Sequence, residues 1–157
     1  MKINWTVLIA AVIICNLAGI IGSFFTFSAI PGWYATLVKP ELSPPNWVFG
    51  PVWTTLYTFM GIAAYLVWEK GINKKDVKTA LGVFGIQLVL NSIWSIIFFG
   101  MNMIFYAFIE IIFLWVAIAA SIVLFYRIDK RAAYLLIPYI VWVSFAAFLN
   151  YNLWILN

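Results

Sequence analysis

Residues 79–99 read TALGVFGIQLVLNSIWSIIFF, a run with no charged side chain. A helix that crosses a bilayer needs about 20 apolar residues, so this stretch reads as a span. Its polar residues are not scattered. Gln87, Asn91, Trp94, Ser95 and Phe98 recur at helical spacing and share one face, while the rest of the helix is almost wholly aliphatic or glycine. A polar stripe inside hydrocarbon has to face protein or water. The span therefore belongs to a bundle with something polar at its centre.

Four further apolar runs flank it, at about residues 5–26, 46–68, 104–126 and 132–156, each bounded by charge, glycine or proline. Five spans use about 105 residues and leave only tails and loops, so the chain is expected to be one domain, residues 1–157: an all-α integral membrane protein built as a five-transmembrane-helix bundle. Composition agrees. Of 157 residues, 66% are hydrophobic and only 9% charged, where soluble domains carry roughly 25% charged residues, and mean hydropathy is +1.06. The first run is longer than the apolar core of a signal peptide and no soluble domain follows it, so it is expected to be retained. One cysteine and no histidine exclude an internal disulfide, an imidazole zinc site and a histidine-ligated haem. No cofactor or metal is expected.

With five spans, the basic residues sort by side. Lys2, Lys70, Lys74, Lys75, Lys78, Arg127, Lys130 and Arg131 fall with the N-terminus, and Lys39 alone falls opposite. Positive residues stay cytoplasmic, which predicts a cytoplasmic N-terminus and an outside C-terminus in the cell membrane. The net charge of +4 is then a topological signal, and no nucleic-acid partner is expected. The loop at about 27–45 lies outside. Pro31, Pro40, Pro44 and Pro45 restrict its backbone, which argues for a fixed lid rather than a tether.

Inward faces on other spans complete a candidate site. Trp53 and Tyr57 lie four residues apart on the second span, and Trp142, Ala146 and Asn150 do likewise on the fifth. Glu110 is the one acidic residue well inside an apolar run, about six residues or roughly 9 Å from the outer end. Asn91, Ser95 and Asn150 fall at comparable depth. Taken singly, the amides read as interhelical glue and the tryptophans as packing. Their convergence beneath the loop suggests instead a pocket for a flat aromatic ligand, held by stacking and a few polar contacts. Small residues at Ala11, Cys15, Gly19 and Ser23 read as a close helix contact, and Pro138 should kink the fifth span.

The stretch Trp33-Tyr34, Leu37, Lys39-Pro40, Pro44-Pro45, Trp47, Phe49, Pro51-Val52-Trp53-Thr54 and Leu56-Tyr57 resembles the TspO/MBR family of tryptophan-rich sensory and translocator proteins, also known as the peripheral benzodiazepine receptor family. The resemblance continues through Gln87-Leu88, Asn91, Trp94-Ser95, Phe98-Phe99-Gly100, Pro138-Tyr139, Trp142, Phe145-Ala146 and Leu149-Asn150-Tyr151, and so covers nearly the whole chain. It implies five membrane helices, usually a homodimer, and a receptor or sensor that binds porphyrins such as protoporphyrin IX, with benzodiazepine and isoquinoline ligands in the same pocket. Carried over by position, Tyr34 and Pro44 would cover the pocket and Trp53, Asn91, Trp94, Trp142 and Ala146 would line it. Tyr57, Ser95, Glu110 and Asn150 complete the expected ligand-binding set. Two other readings stay open. A light-dependent porphyrin-degrading enzyme would use Trp53 and Trp142 as its catalytic residues, and a tetrapyrrole or small-molecule transporter would need two access states. The family's sterol motif is incomplete, because Leu149 and Tyr151 are present but Ile155 stands where a basic residue is needed, and sterol binding is not carried over.

Overall fold

The computed structural model describes residues 2–157, and among them every regular element is helical. The helices are α1 (Trp5–Ala29), α2 (Trp33–Thr36), α3 (Asn46–Trp68), α4 (Lys75–Ser95), α5 (Ile104–Ile128), α6 (Lys130–Leu135) and α7 (Ile137–Leu156), with a π-helical turn, Ile96–Gly100, continuing α4. Four segments are long and apolar enough to cross a membrane: Trp5–Ala29, Lys75–Gly100, Ile104–Ile128 and Lys130–Leu156. The chain is thus a multi-pass, all-helical membrane protein. The expected second span is a helix at the expected place, but Asn46, Gly50, Pro51, Thr54, Thr55 and Thr58 dilute its apolar character.

Helices outrun the hydrophobic stretches. α1 continues to Ala29 and α4 begins at Lys75, four residues before its apolar run, because backbone hydrogen bonding does not stop where hydrocarbon does. Asp76 in the first turn of α4 suits the positive end of the helix dipole. Within the expected loop, Trp33–Thr36 forms a helical turn of its own. The kink expected from Pro138 is a break at Leu136, which separates α6 from α7, since proline has no N–H to continue the ladder.

α1 runs against α3 and α4, α4 against α5, and α5 against α7, while α6 closes the ring onto α3. Bulky residues on α1, Ile13, Leu17, Ile20, Phe24 and Phe27 among them, point away from the protein, as a lipid-facing surface should. The buried core runs along the other helices through Met60, Phe84, Leu114, Ile118, Phe125 and Tyr139.

The two ends of the bundle differ. At the end formed by the 69–74 and 129 turns, the buried Asp129 carboxylate accepts from Arg131 at 2.8 and 3.1 Å and pairs with Lys70 at 3.2 Å. It also caps α6 by accepting from the Arg131 backbone N–H. These partners hold its pKa well below the usual carboxylate range, the Arg131 side chain contributing most. That clamp fixes the foot of α3 to α6. The chain reverses there at Gly71, whose φ of +119° suits glycine. At the opposite end, under the 30–45 loop, the helices spread.

Candidate functional site

The spreading helices enclose a cavity of about 330 Å3. α3 supplies Phe49, Trp53 and Tyr57; α4 supplies Asn91, Trp94 and Ser95; α7 supplies Trp142 and Ala146; and Tyr34 of α2 closes it from the loop. Eight of the expected residues are therefore neighbours in space. The Trp53 ring stacks on Tyr57 at 5.5 Å between centroids and meets Tyr139 edge-on at 6.2 Å. On the wall between α3 and α7, Trp142 meets Phe49 edge-on at 6.1 Å and Phe145 at 5.8 Å.

Beneath these rings lies a buried polar chain. The Tyr57 hydroxyl donates to Asn91 Oδ1, Asn91 Nδ2 donates to the Tyr139 hydroxyl at 2.8 Å, and that hydroxyl donates to Gln87 Oε1 at 2.7 Å. The Asn91 carboxamide is thereby fixed in orientation, and it keeps a second N–H on the cavity wall. Tyr57 itself needs Gly19, since a Cβ at that position would run into the Tyr57 ring. The site is thus a rigid aromatic slot with one oriented amide at its base.

Tyr34 is held among rings, 5.7 Å from Phe99 and 6.3 Å from Phe98, and Lys39 Nζ sits 4.6 Å from its ring centroid. Burial raises the pKa of its hydroxyl. The loop is also fastened at Val38, which exchanges two hydrogen bonds with the Asn157 side chain.

Three expected site residues lie elsewhere. Pro44 does not line the cavity; it precedes Pro45, the residue that opens α3, so it shapes the loop. Asn150 is buried, but its carboxamide is already used, accepting from Trp94 Nε1 at 3.1 Å and donating to the Ile104 carbonyl at 2.9 Å. It positions Trp94. Glu110 is buried on α5, outside the cavity lining, and neither carboxyl oxygen has a hydrogen-bond partner among the described residues. A place well inside the apolar run did not put it on the cavity side of the ring.

The sequence reading missed one wall. Asn16, Gly19, Ser23 and Thr26 of α1 face the cavity, with Phe99 of the π-helical turn and Asn46 of α3. The hydroxyls of Ser23 and Thr26 bond back to their own helix, as does the Asn16 amide. The signal was the small and polar stripe on α1, read as packing. A second hollow of about 590 Å3 lies at the clamped end between Lys75, Asp76, Thr79, Leu124, Arg127 and Ile128. It has no aromatic wall and is open and charged, so it offers a flat apolar ligand nothing to stack on.

The sequence model of the TspO/MBR family matches residues 11–155, which includes every cavity residue named above. The chain belongs to the TspO/MBR family. It is 42% identical over 151 residues to the tryptophan-rich protein TspO of Archaeoglobus fulgidus, covering 96% of each chain. It is also 42% identical over 141 residues to the human translocator protein, covering 88% of this chain and 83% of that one. Against the tryptophan-rich sensory protein of Cereibacter sphaeroides it is 31% identical over 158 residues, 100% of this chain and 95% of the other. In this TspO/MBR protein the aromatic slot lies wholly within the matched segment.

Proposed function

We propose that this chain is a five-span membrane receptor or sensor, with its N-terminus in the cytoplasm, that binds a planar tetrapyrrole of the porphyrin class in the aromatic slot. The observation that carries this reading is the pairing of Trp53 and Trp142 on two walls of one cavity, each held by neighbouring rings. Trp94 and Trp115 spend their indole N–H on Asn150 and Ser144; Trp53 and Trp142 have no such bond among the described residues and keep theirs for a guest. Stacking surface with a few directed donors is how such pockets hold flat ligands.

Size shapes the mode of binding. A volume of about 330 Å3 is at the small end for sites that enclose a ligand, so a tetrapyrrole inserts one edge of its ring and leaves its carboxylates outside. Benzodiazepine and isoquinoline ligands, being smaller, fit the same slot entire. The name of the Cereibacter sphaeroides relative supports a sensory role. A homodimer is the assembly the family resemblance implies, formed between apolar faces that a single copy leaves on its surface.

The same two tryptophans favour a second reading, light-driven porphyrin breakdown, because indole is the side chain here best able to donate an electron to an excited porphyrin. Titration of the purified protein with protoporphyrin IX, in darkness and in light and with and without oxygen, tests both. Tryptophan quenching in the dark with stable porphyrin absorbance is the receptor result. Loss of absorbance faster than in empty nanodiscs is the enzyme result. Absence of quenching overturns the tetrapyrrole reading.

A further inference from the structure

We propose that the cavity opens sideways, through a slit between α1 and α3, into the hydrocarbon of the bilayer, and that ligands reach it from the membrane rather than past the loop. The class of ligand this selects is a planar amphiphile that partitions into lipid. The inference extends the receptor reading above and rests on it for the ligand.

Consider one face of α3: Gly50, Thr54, Tyr57 and Gly61 succeed each other at helical spacing. At its clamped end the face touches α1 backbone to backbone, since a Cβ on Gly61 would lie 2.5 Å from Val12 Cα. Eleven residues on, about 16 Å along the axis, a Cβ on Gly50 would meet nothing within 4 Å. The two helices diverge towards the loop end. In the wedge between them the cavity is lined by Ser23 and Thr26 from α1 and by Asn46, Gly50 and Thr54 from α3. The outer lips are Ile20 and Phe27, about half and three-quarters exposed. Apolar lips on the lipid side and hydroxyl and amide groups within suit a ligand that slides in from hydrocarbon.

The other two ways out are closed. Between α3 and α7 the rings of Phe49, Trp142 and Phe145 fill the gap. Above, Tyr34 is packed on Phe98 and Phe99, and the loop is fastened to Asn157. Gly50 is then the residue that sets the width of the slit.

The test needs no natural ligand. In nanodiscs, a thiol introduced by Ser95→Cys, with Cys15→Ala removing the native thiol, is reacted with N-dodecylmaleimide dissolved in the bilayer. Gly50→Trp should slow labelling at least tenfold, and Ser23→Leu, from the α1 wall of the wedge, should slow it severalfold, with helical content and elution unchanged. Asn157→Ala, which unfastens the loop, should leave the rate within twofold. Should Asn157→Ala accelerate labelling while two folded slit variants leave it unchanged, access runs past the loop and the proposal is overturned. Gly50→Trp and Ser23→Leu, each with Ser95 and Cys15 restored, are then given protoporphyrin IX, where a slit slows association and dissociation together. A Ser95→Cys, Cys15→Ala protein that reacts with the maleimide through the slit, paired with a wild-type protein that never quenches with porphyrin, would refute the tetrapyrrole reading and keep the slit.

Discussion

Asn157 and Val38 hold each other by a reciprocal pair of hydrogen bonds, Val38 N–H to Oδ1 at 2.9 Å and Nδ2 to the Val38 carbonyl at 3.0 Å. The carboxamide acts as a short strand edge and ties the loop over the cavity to the end of α7. Asn157→Ala should cost about 1 kcal/mol, the lower part of the range for two solvent-exposed bonds. Hydrogen exchange at the Val38 amide should quicken at least fivefold, with helix amides unaffected. Unchanged protection at Val38 would mean that the pair does not persist in the bilayer.

Gly61→Ala and Gly50→Ala should differ sharply although both add one methyl to the same helix face. The first meets Val12 backbone, which cannot turn aside, and overpacking of that kind costs about 1–3 kcal/mol. The second meets no neighbouring helix, and the gain from removing a flexible residue is set against the crowding of a Cβ by the Pro51 ring that follows, so it should cost less than the first. Thermal unfolding in one detergent ranks the two, and equal melting temperatures would contradict the tight contact.

Trp142→Phe and Trp94→Phe should separate affinity from stability. Trp142 faces the cavity and its indole N–H has no partner among the described residues, so its replacement should weaken porphyrin binding roughly threefold to tenfold, the size of a lost aromatic contact, at unchanged melting temperature. Trp94→Phe releases Asn150 and should lower stability by about 0.6 kcal/mol, as typical for a hydrogen bond between membrane helices. Tryptophan quenching and thermal unfolding on both variants check this, and a fall in melting temperature for Trp142→Phe would mark it as packing.

Asp129 should make the protein sensitive to strong acid. Its pKa is held down by Arg131 and Lys70, so the carboxylate stabilises the fold at pH above the ordinary value near 4. That contribution is lost as pH falls below this value towards the lowered one. Asp129→Asn should therefore be less stable at neutral pH and show a flatter decline in melting temperature on acidification. Parallel curves for the two proteins would show that the clamp contributes nothing measurable.

What could be read in advance follows from which forces leave a one-dimensional trace. Hydrophobic runs located the long helices, and period placed Trp53 with Tyr57 and Trp142 with Ala146 on shared faces, since 3.6 residues per turn is built into the chain. Position around and along the bundle was less legible: Glu110 lies outside the cavity wall, and Asn150 is engaged with Trp94 and with Ile104, six residues nearer the outer end of α5 than Glu110. The α1 wall was hidden for a related reason. Gly19 and Ser23 carry the same signature, yet the Tyr57 ring closes on Gly19 as expected while Ser23 lines a gap, and only Gly50 opposite, with empty space before it, decides.

The turn Ile96–Gly100 bears on how this family can change its length. Its bond from Met101 N–H reaches back five residues to the Ile96 carbonyl at 2.9 Å, so the helix there carries one residue more than an α-helical turn would hold. Excision of a single residue would let the ladder revert to the common spacing without breaking the helix. The register beyond the turn would be kept, while within it the side chains would be re-aimed, and the Phe98 and Phe99 rings that now meet Tyr34 could not both keep that contact. A one-residue gap in this short segment would thus be folded without difficulty and yet reshape the roof of the cavity, making it a place where relatives can diverge in what they accept while their helices stay superimposable.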